Sequence, residues 1–499
     1  MSDSGNAHIL LTSEQARAAD AWALEHGVGS LSLMEAAGKA VAEITAEYLG
    51  SPSEVDGDII ILCGPGNNGG DGYVAARYLG AQGYSVSLMT SCHTDSLEGD
   101  AREMAGQWAG GQATINTAKF KKASAIIDAL FGTGLSRAIE GELAEVIDAI
   151  NKSPALKIAV DIPSGLCANT GQPLGPCVQA DATVTFFKKK VGQTVAPGRF
   201  LCGGQEHIHI ADIGIPEACI SALSVSAFEN IPSLWGVAFP HAGPATHKYH
   251  RGHLLVLGGK EPTLGASRLA ALAGLRVGAG LVTLAAPAES YTIQASALTD
   301  VMVRRFEGPV GFMGIASDAR LGTVLMGPGA GVGEKTADLV QDVAASGKSL
   351  VLDADALTSL VDKLKSLRGS TDGDADIILT PHDGEFGRLF PEISLEGGRV
   401  AAARQAASES GCFVVLKGVS TVIAAPDGRA AVTTNAPAWL SVGGTGDILS
   451  GAIAGLMAQG MPGFEAACAG VWLQGEAAMR AGRGLIASDL LTQLPKVLP

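Results

Sequence analysis

The sequence predicts an α/β fold in two domains. Short apolar runs recur along the chain, each is followed by a glycine-rich or polar segment, and a stretch with helical apolar spacing comes next. This order is typical of parallel sheets covered by helices on both faces. The 66 glycines and the aromatic content of 5% favour many tight strand-to-helix turns over a β-sandwich. A chain of 499 residues is long enough for two or three domains with separate cores.

Composition narrows the classes of partner. Lys plus Arg number 35 and Asp plus Glu number 50, which gives a formal net charge of −15. Nucleic acid and anionic membranes are therefore not expected, whereas backbone N–H groups and local cations can still bind anionic small molecules. The eight cysteines form no C-x-x-C pair. The start of the chain lacks a signal-peptide pattern, and no apolar run reaches the ~18 residues of a membrane span. We expect a cytoplasmic protein, and its assembly, including a homo-oligomer, stays open.

The first half opens with two predicted helices, the second from Ser32 to Leu49, in which Ser32 and Glu35 have capping-box spacing. The run Asp58 to Cys63 predicts a buried strand, and it leads into the glycine loop Gly64 to Gly72 and another helix. Strand, glycine loop and helix in this order are typical of a phosphate-binding turn. The loop matches neither the G-x-G-x-x-G nor the P-loop pattern.

Further strands of the first half are predicted at Ser85 to Met89, Ala125 to Leu130, Leu156 to Asp161 and Ala182 to Phe187. Because the carboxyl ends of parallel strands meet at one edge, the polar loops that follow should converge on one crevice. The residues expected there are Asn67, Asn68, Asp71, Asp128, Gly132, Gly134, Asp161 and Ser164. Alternatively, each aspartate only organises its own turn. The lysines Lys188 to Lys190 form a solvated strand end or lie beside ligand phosphates.

The first half resembles a known family at four motifs. They are S-L-M-E-A-A-G (Ser32 to Gly38), C-G-P-G-N-N-G-G-D-G (Cys63 to Gly72), D-A-L-F-G-T-G-L (Asp128 to Leu135) and V-D-I-P-S-G-L-C-A-N-T-G (Val160 to Gly171). These motifs are similar to those of the NAD(P)H-hydrate epimerase domain, and the resemblance extends over most of residues 9 to 215. It implies a Rossmann-like parallel sheet. One loop departs from the pattern, because Lys190-Val191-Gly192-Gln193 stands where Lys-Pro-Gly-His is expected.

This resemblance also implies roles for individual residues. A potassium ion would be held by Asn68, Asp128 and Ser164. The hydrated nucleotide would be contacted by Asn67, Asn68, Gly69, Gly70 and Asp71, by Gly132, Thr133, Gly134, Leu135, Ser136, Arg137 and Ala138, and by Asp161. Asp161 would be the acid/base at the hydroxylated carbon.

Composition changes between about residues 225 and 243, which predicts domains at 1–230 and 240–499. Four histidines follow the predicted linker: His241, His247, His250 and His253. Their spacing fits no helical pair of metal ligands, so they more plausibly flank a basic loop than bind a metal.

The second half repeats the pattern of strands that end in glycine or polar loops. Its strands are predicted at Leu254 to Leu257, Leu281 to Ala285, Val324 to Met326, Leu350 to Leu352, Ile377 to Leu379 and Phe413 to Leu416. In the last loop, Val442 to Gly451, glycines precede an apolar helix, where free N–H groups and the helix dipole favour a phosphate. Asp447 would repel that phosphate, unless it takes a proton from the attacking hydroxyl. Alternatively, Thr445 or Asp447 only caps the helix.

The second half, from about 243 to 495, resembles the ribokinase-like fold and, more narrowly, the ADP- or ATP-dependent NAD(P)H-hydrate dehydratases. The motifs are H-R-G-H-L-L-V-L-G-G (His250 to Gly259), G-P-G-A-G (Gly327 to Gly331), L-D-A-D-A-L (Leu352 to Leu357), T-P-H-D-G-E-F (Thr380 to Phe386), L-K-G (Leu416 to Gly418) and G-G-T-G-D (Gly443 to Asp447). The resemblance implies that the adenine nucleotide contacts Lys417, Gly418, Val419, Ser420, Thr421, Gly443, Gly444, Thr445 and Gly446, and that the hydrate faces Ala266, Gly331, His382 and Asp447. Trp439 is larger than the residue expected there and predicts a narrower entrance.

Together the resemblances imply an enzyme that repairs hydrated NADH and NADPH. The first half would epimerise the two hydrate stereoisomers. The second half would transfer a phosphoryl group from ADP or ATP, with magnesium, onto the hydroxyl of one isomer, with Asp447 as the base, and loss of phosphate would restore the reduced nucleotide. The alternatives are a ribokinase-like small-molecule kinase and a first half that binds nucleotide without catalysis.

Overall fold

The computed structural model describes residues 6, 8–364, 367 and 375–499. The chain divides into two compact units, Ile9–Ala227 and Phe228–Pro499, and residues 6 and 8 group with the second of them. The predicted α/β class is confirmed in both units, because each contains a sheet of mostly parallel strands connected by helices. The domain bounds 1–230 and 240–499 stay a prediction.

The first unit contains strands β1 (Ile9–Leu10), β2 (Ile59–Cys63), β3 (Val86–Thr90), β4 (Gln112–Thr114), β5 (Ala125–Ala129), β6 (Leu156–Val160), β7 (Ala182–Phe186) and β8 (Ile208–Ala211). Seven of them form a sheet in the order β4-β3-β2-β5-β6-β7-β8. All of its neighbouring pairs are parallel. From β2 the chain adds strands on one side of the sheet, and from β5 it adds them on the other side. In open parallel sheets, ligands bind at such a reversal, outside the carboxyl ends of the strands.

Helices α1 (Ser13–Glu25), α2 (Ser30–Leu49), α3 (Asn67–Ala81), α4 (Gly99–Gln107), α5 (Glu142–Lys152) and α6 (Gly198–Leu201) complete the first unit. The expected capping box of α2 is wrong. Its N-cap is Gly29, without a side-chain cap. Glu35 instead accepts hydrogen bonds from Arg77 and Tyr78 of α3, so tertiary contacts use the carboxylate that local spacing had assigned to the cap.

Helix α3 begins at Asn67, so the last glycines of the expected loop belong to its first turns. A Cβ atom on Gly69 would lie 2.0 Å from the carbonyl oxygen of Gly64, and one on Gly72 would lie 2.8 Å from Sγ of Cys63. These glycines therefore allow α3 to pack closely on the end of β2. Gly70 is packed in the same way, because a Cβ there would lie 2.5 Å from Sδ of Met34.

The second unit contains strands β9 (Ala227–Glu229), β10 (His253–Leu257), β11 (Leu281–Pro287), β12 (Met302–Phe306), β13 (Thr323–Met326), β14 (Ser349–Leu352), β15 (Ile377–Leu379), β16 (Phe413–Leu416), β17 (Val422–Ala424) and β18 (Ala430–Val432). Their order is β9-β18-β17-β16-β15-β14-β13-β10-β11-β12. The strands from β16 to β12 in this order pair in parallel, whereas β16, β17 and β18 form antiparallel pairs. The described helices are α7 (Pro232–Trp235), α8 (Leu264–Arg276), α9 (Tyr291–Ala297), α10 (Gly308–Ala316), α11 (Glu334–Ala345), α12 (Ala354–Ser359), α13 (Asp383–Leu389), α14 (Arg399–Ser410), α15 (Thr445–Ala458), α16 (Gly463–Ala481) and α17 (Ala487–Gln493).

Helices α8 and α15 approach each other through glycines. A Cβ atom on Gly451 of α15 would lie 2.1 Å from the carbonyl oxygen of Ala270 in α8. One on Gly455 would lie 2.7 Å from Cα of Gly274. This contact fixes the position of α15, whose first turn carries Asp447. Within the described ranges, no helix is both long and apolar enough to cross a membrane.

Gly451→Ala should lower the stability of the second unit, because the added methyl group collides with backbone that cannot move aside. Overpacking of this kind costs about 1–3 kcal/mol. The measurement is the urea-unfolding midpoint. Gly265→Ala in α8 is the matched control, since an added Cβ there meets no atom within 4 Å and alanine favours a helix. Equal midpoints for the two variants would contradict close packing at Gly451.

Candidate active sites

A cavity of about 200 Å³ lies in the first unit. Its polar lining is formed by Asp20, Ser30, Asn67, Asp71, Asp100, Thr133, Asp161 and Lys190, and its apolar lining includes Met34, Phe186 and Phe187. The residues Asn67, Asp71, Thr133 and Asp161 were expected to contact the nucleotide, and the fold brings them to this one cavity. Asp20 is a new member, because α1 carries it and no motif includes it.

Asp161 is held by a buried network at the end of β6. It has a positive φ of 61°, which non-glycine residues rarely adopt and which is concentrated at functional sites. Its Oδ1 accepts hydrogen bonds from Nζ of Lys190 at 2.5 Å and from Oγ1 of Thr185 at 3.2 Å. No described residue donates to Oδ2, so one carboxylate oxygen stays available to a ligand. Lys190 is only 3% exposed, so a solvated strand end is wrong for this lysine, which pairs with the carboxylate.

The loop that departs from the expected Lys-Pro-Gly-His pattern connects the two partners of this ion pair. The side chain of Gln193 accepts a hydrogen bond from the backbone N–H of Lys190 at 2.7 Å. Its Nε2 donates to the carbonyl oxygen of Asp161 at 2.8 Å. Gln193 is fully buried, so the amide fixes the backbone on both sides of the pair.

Two further carboxyl groups of the cavity titrate above their ordinary range. Burial raises the pKa of Asp71 well above its usual value, and the charges of Asp161 and Asp20 add to the effect. Burial also raises the pKa of Asp20 to about 6. The charge of Lys190 opposes this rise, and the charge of Asp161 adds to it. The Asp20 side chain is nevertheless reached by solvent, which places it where the cavity opens. Near neutral pH, Asp20 is therefore close to its titration point.

The three expected potassium ligands do not line this cavity. Asp128 and Ser164 contact each other, because the serine donates to the carboxylate through Oγ at 2.6 Å and through its backbone N–H at 2.7 Å. Burial raises the pKa of Asp128 to about 6. Nδ2 of Asn68 is buried without a hydrogen-bond partner among the described residues. A Cβ atom on Gly132 would lie 3.2 Å from Oδ1 of Asn68, so the loop after β5 covers this amide.

The rest of the loop after β5 lies elsewhere. Leu135, Arg137 and Ala138 line a separate depression of about 280 Å³. Gly134 and Ser136 are exposed. The structure therefore joins only Thr133 of this loop to the cavity that contains Asp161.

In the second unit, a lysine–carboxylate pair lies against the start of α15. Nζ of Lys417 is 2.8 Å from Oδ1 of Asp353, whose side chain is 3% exposed. A Cβ atom on Gly446 would lie 3.5 Å from that Nζ and 3.8 Å from Oδ2 of Asp353. The fold thus brings Lys417 close to Gly446 of the Gly443 loop, and both had been expected to contact the adenine nucleotide. Asp353 was missed, because only its position at the end of β14 was visible in the sequence.

The same pair influences the pKa of Asp447. Burial raises the pKa of Asp447 to about 6; the charge of Asp353 raises it further, whereas Lys417 opposes the shift. Burial alone would lower the pKa of Lys417, but the carboxylate of Asp353 and other nearby acids keep it above its ordinary value. Lys417 is therefore charged at neutral pH, and Asp447 is a stronger base than an ordinary aspartate.

The N-terminus of α15 has no side-chain cap, so the capping role proposed for Thr445 or Asp447 is wrong. Gly444 is the N-cap with φ 88°, and a Cβ there would lie 3.0 Å from side-chain atoms of Leu269 and Ala487. Thr445 instead donates to the carbonyl oxygen of Val442 at 2.9 Å. The first-turn N–H groups are thus left without a side-chain acceptor, as an anion site requires.

Arg399 organises the loop that contains Lys417 to Thr421. Its guanidinium donates to the carbonyl oxygens of Lys417 at 2.9 Å and Ser420 at 3.1 Å. It also donates to Oδ1 of Asp383 at 2.8 Å. A Cβ on Gly418 would lie 2.6 Å from this guanidinium, which explains the glycine. In the same loop, Val419 is exposed, Ser420 is buried and Thr421 is partly exposed. The arginine was missed because it lies outside every motif.

The residues expected to face the hydrate occupy several elements. His382 is the N-cap of α13, and its Nδ1 accepts hydrogen bonds from the N–H groups of Gly384 and Glu385. The N–H of Gly331 donates to Oδ2 of Asp355 at 2.9 Å, and Ala266 is half-buried in α8.

Two other sequence features have structural explanations. Nε1 of Trp439 donates to the carbonyl oxygen of Ala478 at 3.0 Å, so the indole is anchored on α16, and a narrower entrance stays a prediction.

Of the clustered histidines, His247 and His250 lie against each other with ring centroids 3.6 Å apart, and His253 forms a hydrogen bond with Thr283. Across the part of the chain that the structure describes, no three His, Cys, Asp or Glu residues form a potential metal site.

Comparisons with known proteins match both halves. A family described as NAD(P)H-hydrate dehydratase matches residues 254–499, and one described as YjeF-related protein N-terminus matches residues 30–192. The chain is 36% identical to a bifunctional NAD(P)H-hydrate repair enzyme of Moorella thermoacetica, over 95% of this chain and 93% of that protein. The Escherichia coli protein of the same description is 33% identical, and the alignment covers 88% of this chain and 84% of that protein. A similar solved structure is an ADP/ATP-dependent NAD(P)H-hydrate dehydratase of Bacillus subtilis, co-crystallised with ATP and magnesium. It is 28% identical, the alignment covers 54% of this chain and 96% of that chain, and the TM-score is 0.48.

Lys417→Met should destabilise the second unit, because it leaves the buried carboxylate of Asp353 without its cation. Breaking one side of a buried pair costs ~3 kcal/mol or more. Adding Asp353→Asn to that variant should restore much of the loss, since no charge is then left uncompensated. The free energy of urea unfolding measures both effects. Strictly additive losses in the double variant would show that the two side chains do not stabilise each other.

Proposed function

The chain belongs to the family of bifunctional NAD(P)H-hydrate repair enzymes, and we propose how its two sites divide the work. The first unit epimerises the two stereoisomers of hydrated NADH or NADPH. The second unit dehydrates one isomer with ADP or ATP and regenerates the reduced nucleotide. A kinase with a non-catalytic first half is not favoured, because the repair enzyme of Moorella thermoacetica aligns with 95% of this chain, including the epimerase half.

The placement of Asp447 is the observation that carries the dehydratase proposal. The hydrate has a hydroxyl on a carbon next to the ring nitrogen, and hydroxide leaves poorly, whereas phosphate leaves well. Asp447, with a pKa raised to about 6, is ionised at neutral pH and takes the proton of the attacking hydroxyl. The uncapped N-terminus of α15 and the cation of Lys417 stabilise the transferred phosphoryl group. Loss of phosphate, driven by the ring nitrogen, restores the double bond.

Magnesium would enter this site with the nucleotide. It usually binds through one or two carboxylates together with phosphate oxygens and water. The pair Asp353 and Asp447 beside α15 fits that donor set, and the described residues contain no larger acidic group that would form a complete cage. When bound, the ion neutralises phosphate charge.

Asp161 is our candidate acid/base for epimerisation. Lys190 and Thr185 fix its Oδ1, so Oδ2 is oriented for proton transfer. A cavity of about 200 Å³ is smaller than the ~300–1,000 Å³ of typical ligand pockets. It therefore suits the hydrated ring, and the rest of the nucleotide extends past Asn67 and Thr133 toward the loop after β5.

A potassium ion beside Asn68, Asp128 and Ser164 completes the epimerase proposal. The donors are oxygens, which suit a hard cation rather than zinc or copper. The buried carboxylate of Asp128 supports a compensating cation there. Asn68 would contribute its Oδ1, because its unpartnered Nδ2 is a hydrogen-bond donor and cannot bind a cation. The ion would hold the loops after β2, β5 and β6 in place without redox chemistry.

The two activities should separate by single substitutions. Asp447→Asn keeps size and polarity but removes the base, so recovery of NAD(P)H should fall ~100- to 10,000-fold while the isomers still equilibrate. Asp161→Asn should do the converse and consume one isomer normally, leaving the other to convert at its spontaneous rate. Chromatography of both isomers over time measures this. Wild-type consumption of both isomers by Asp161→Asn would refute its role.

Removal of potassium should slow epimerisation only. The expected result of dialysis into a buffer with a bulky organic cation is a lower rate of isomer exchange, restored by added potassium. Dehydration of the preferred isomer serves as the internal control. If epimerisation proceeds equally fast without the ion, Asn68, Asp128 and Ser164 are not its site.

A further inference from the structure

Epimerisation needs proton transfer on both faces of the reacting carbon. If the hydroxyl leaves from one face and water returns from the other, one group must protonate the leaving oxygen, and another must deprotonate the attacking water. A single carboxyl cannot reach both positions at once. We propose that Asp20 is the second catalytic acid/base of the epimerase site and acts on the face opposite to Asp161. This inference rests on the proposed epimerase function.

The position of Asp20 supports this role. It lies on α1, and it lines the same cavity as its helical neighbours Ala16, Ala19 and Leu24. Asp161 reaches that cavity from the end of β6, so the two carboxyls come from separate elements. No described residue forms a hydrogen bond with the Asp20 side chain, which distinguishes it from the aspartates that organise turns. The match to the YjeF-related family begins at residue 30, so no motif marks this helix.

The two carboxyls have different charged neighbours. Lys190 forms an ion pair with Asp161 directly. Asp20 has no such partner, and burial raises its pKa to about 6, with Lys190 opposing and Asp161 reinforcing the shift. Two carboxyls in different environments are the usual arrangement for one acid and one base.

Asp71 and Asp100 are the other acids that line the cavity. Asp71 is more deeply buried, and burial raises its pKa well above the ordinary range. A reversible step needs a group that loses and regains its proton near neutral pH, which favours Asp20.

The proposed step balances. The protonated Asp20 gives its proton to the hydroxyl, the carbon–oxygen bond breaks, and the ring nitrogen supplies the electron pair of a new carbon–nitrogen double bond. The departing group is water. A second water attacks the opposite face, the electron pair returns to nitrogen, and Asp161 takes the proton of the attacking water. The hydroxyl has changed faces, one proton has moved from Asp20 to Asp161, and exchange with solvent restores both groups. The reverse reaction exchanges the roles.

The test is exchange of the substrate hydroxyl with ¹⁸O-labelled water, followed by mass spectrometry of the separated isomers. In Asp20→Asn, epimerisation should fall ~100-fold or more. Asp161 can still remove and return water on its own face, so one isomer should keep incorporating ¹⁸O without inversion. The other isomer should exchange only at the spontaneous rate. Asp161→Asn should show the mirror-image pattern.

Several controls separate this role from a structural one. Glu25→Gln, at the exposed end of the same helix, should retain the wild-type rate. Asp20→Ser should repeat the one-isomer pattern, and unfolding midpoints should match the wild type. Equal loss of exchange in both isomers, or full epimerisation by Asp20→Asn, would overturn the proposal. A one-isomer pattern in Asp71→Asn but not in Asp20→Asn would assign the role to Asp71. If the wild-type protein inverts neither isomer, the epimerase function itself fails.

Discussion

Each unit depends on a buried lysine–carboxylate pair that joins two strand ends of its sheet. In the first, Lys190 after β7 pairs with Asp161 after β6; in the second, Lys417 after β16 pairs with Asp353 after β14. A buried charge without its partner costs several kcal/mol, so each lysine must stay where the carboxylate needs it. The constraint fixes the loops at the carboxyl ends of parallel strands, where ligands bind in this class of fold.

The two pairs serve different chemistry. Lys190 and Thr185 occupy one oxygen of Asp161, and in the proposed mechanism the other oxygen transfers a proton in the cavity that Asp20 also lines. Lys417 instead pairs with a carboxylate that is not the proposed base. Burial, reinforced by the charge of Asp353, raises the pKa of Asp447 to about 6. Lys417 lies next to the start of α15, which is the proposed phosphate site. Arg399 keeps the lysine loop in place through its backbone carbonyls.

Sequence patterns predicted the class of fold and most central strands, because buried parallel strands are continuous apolar runs. The exposed strand β4 lacks that signal, and the antiparallel strands β17 and β18 are apolar runs of only three residues, so all three were missed. Motifs located Asp161, Lys417 and Asp447, but not their partners. The Lys417–Asp353 pair spans 64 positions, and the burial of Lys190 arises only when β7 lies beside β6. Asp20 carries no local signal, since its role depends on a cavity that several segments form.

The central claim is that one chain turns a hydrated nucleotide back into its reduced form by way of a phosphorylated intermediate. The most direct measurement mixes the protein with an equal mixture of both NADH hydrate isomers and excess ADP. Absorbance of reduced nicotinamide and release of inorganic phosphate are followed together. The account predicts that the two signals rise in equal amounts until both isomers are consumed. A flat absorbance with a stable phosphorylated hydrate would identify a kinase, and recovery that stops with one isomer untouched would contradict the epimerase half.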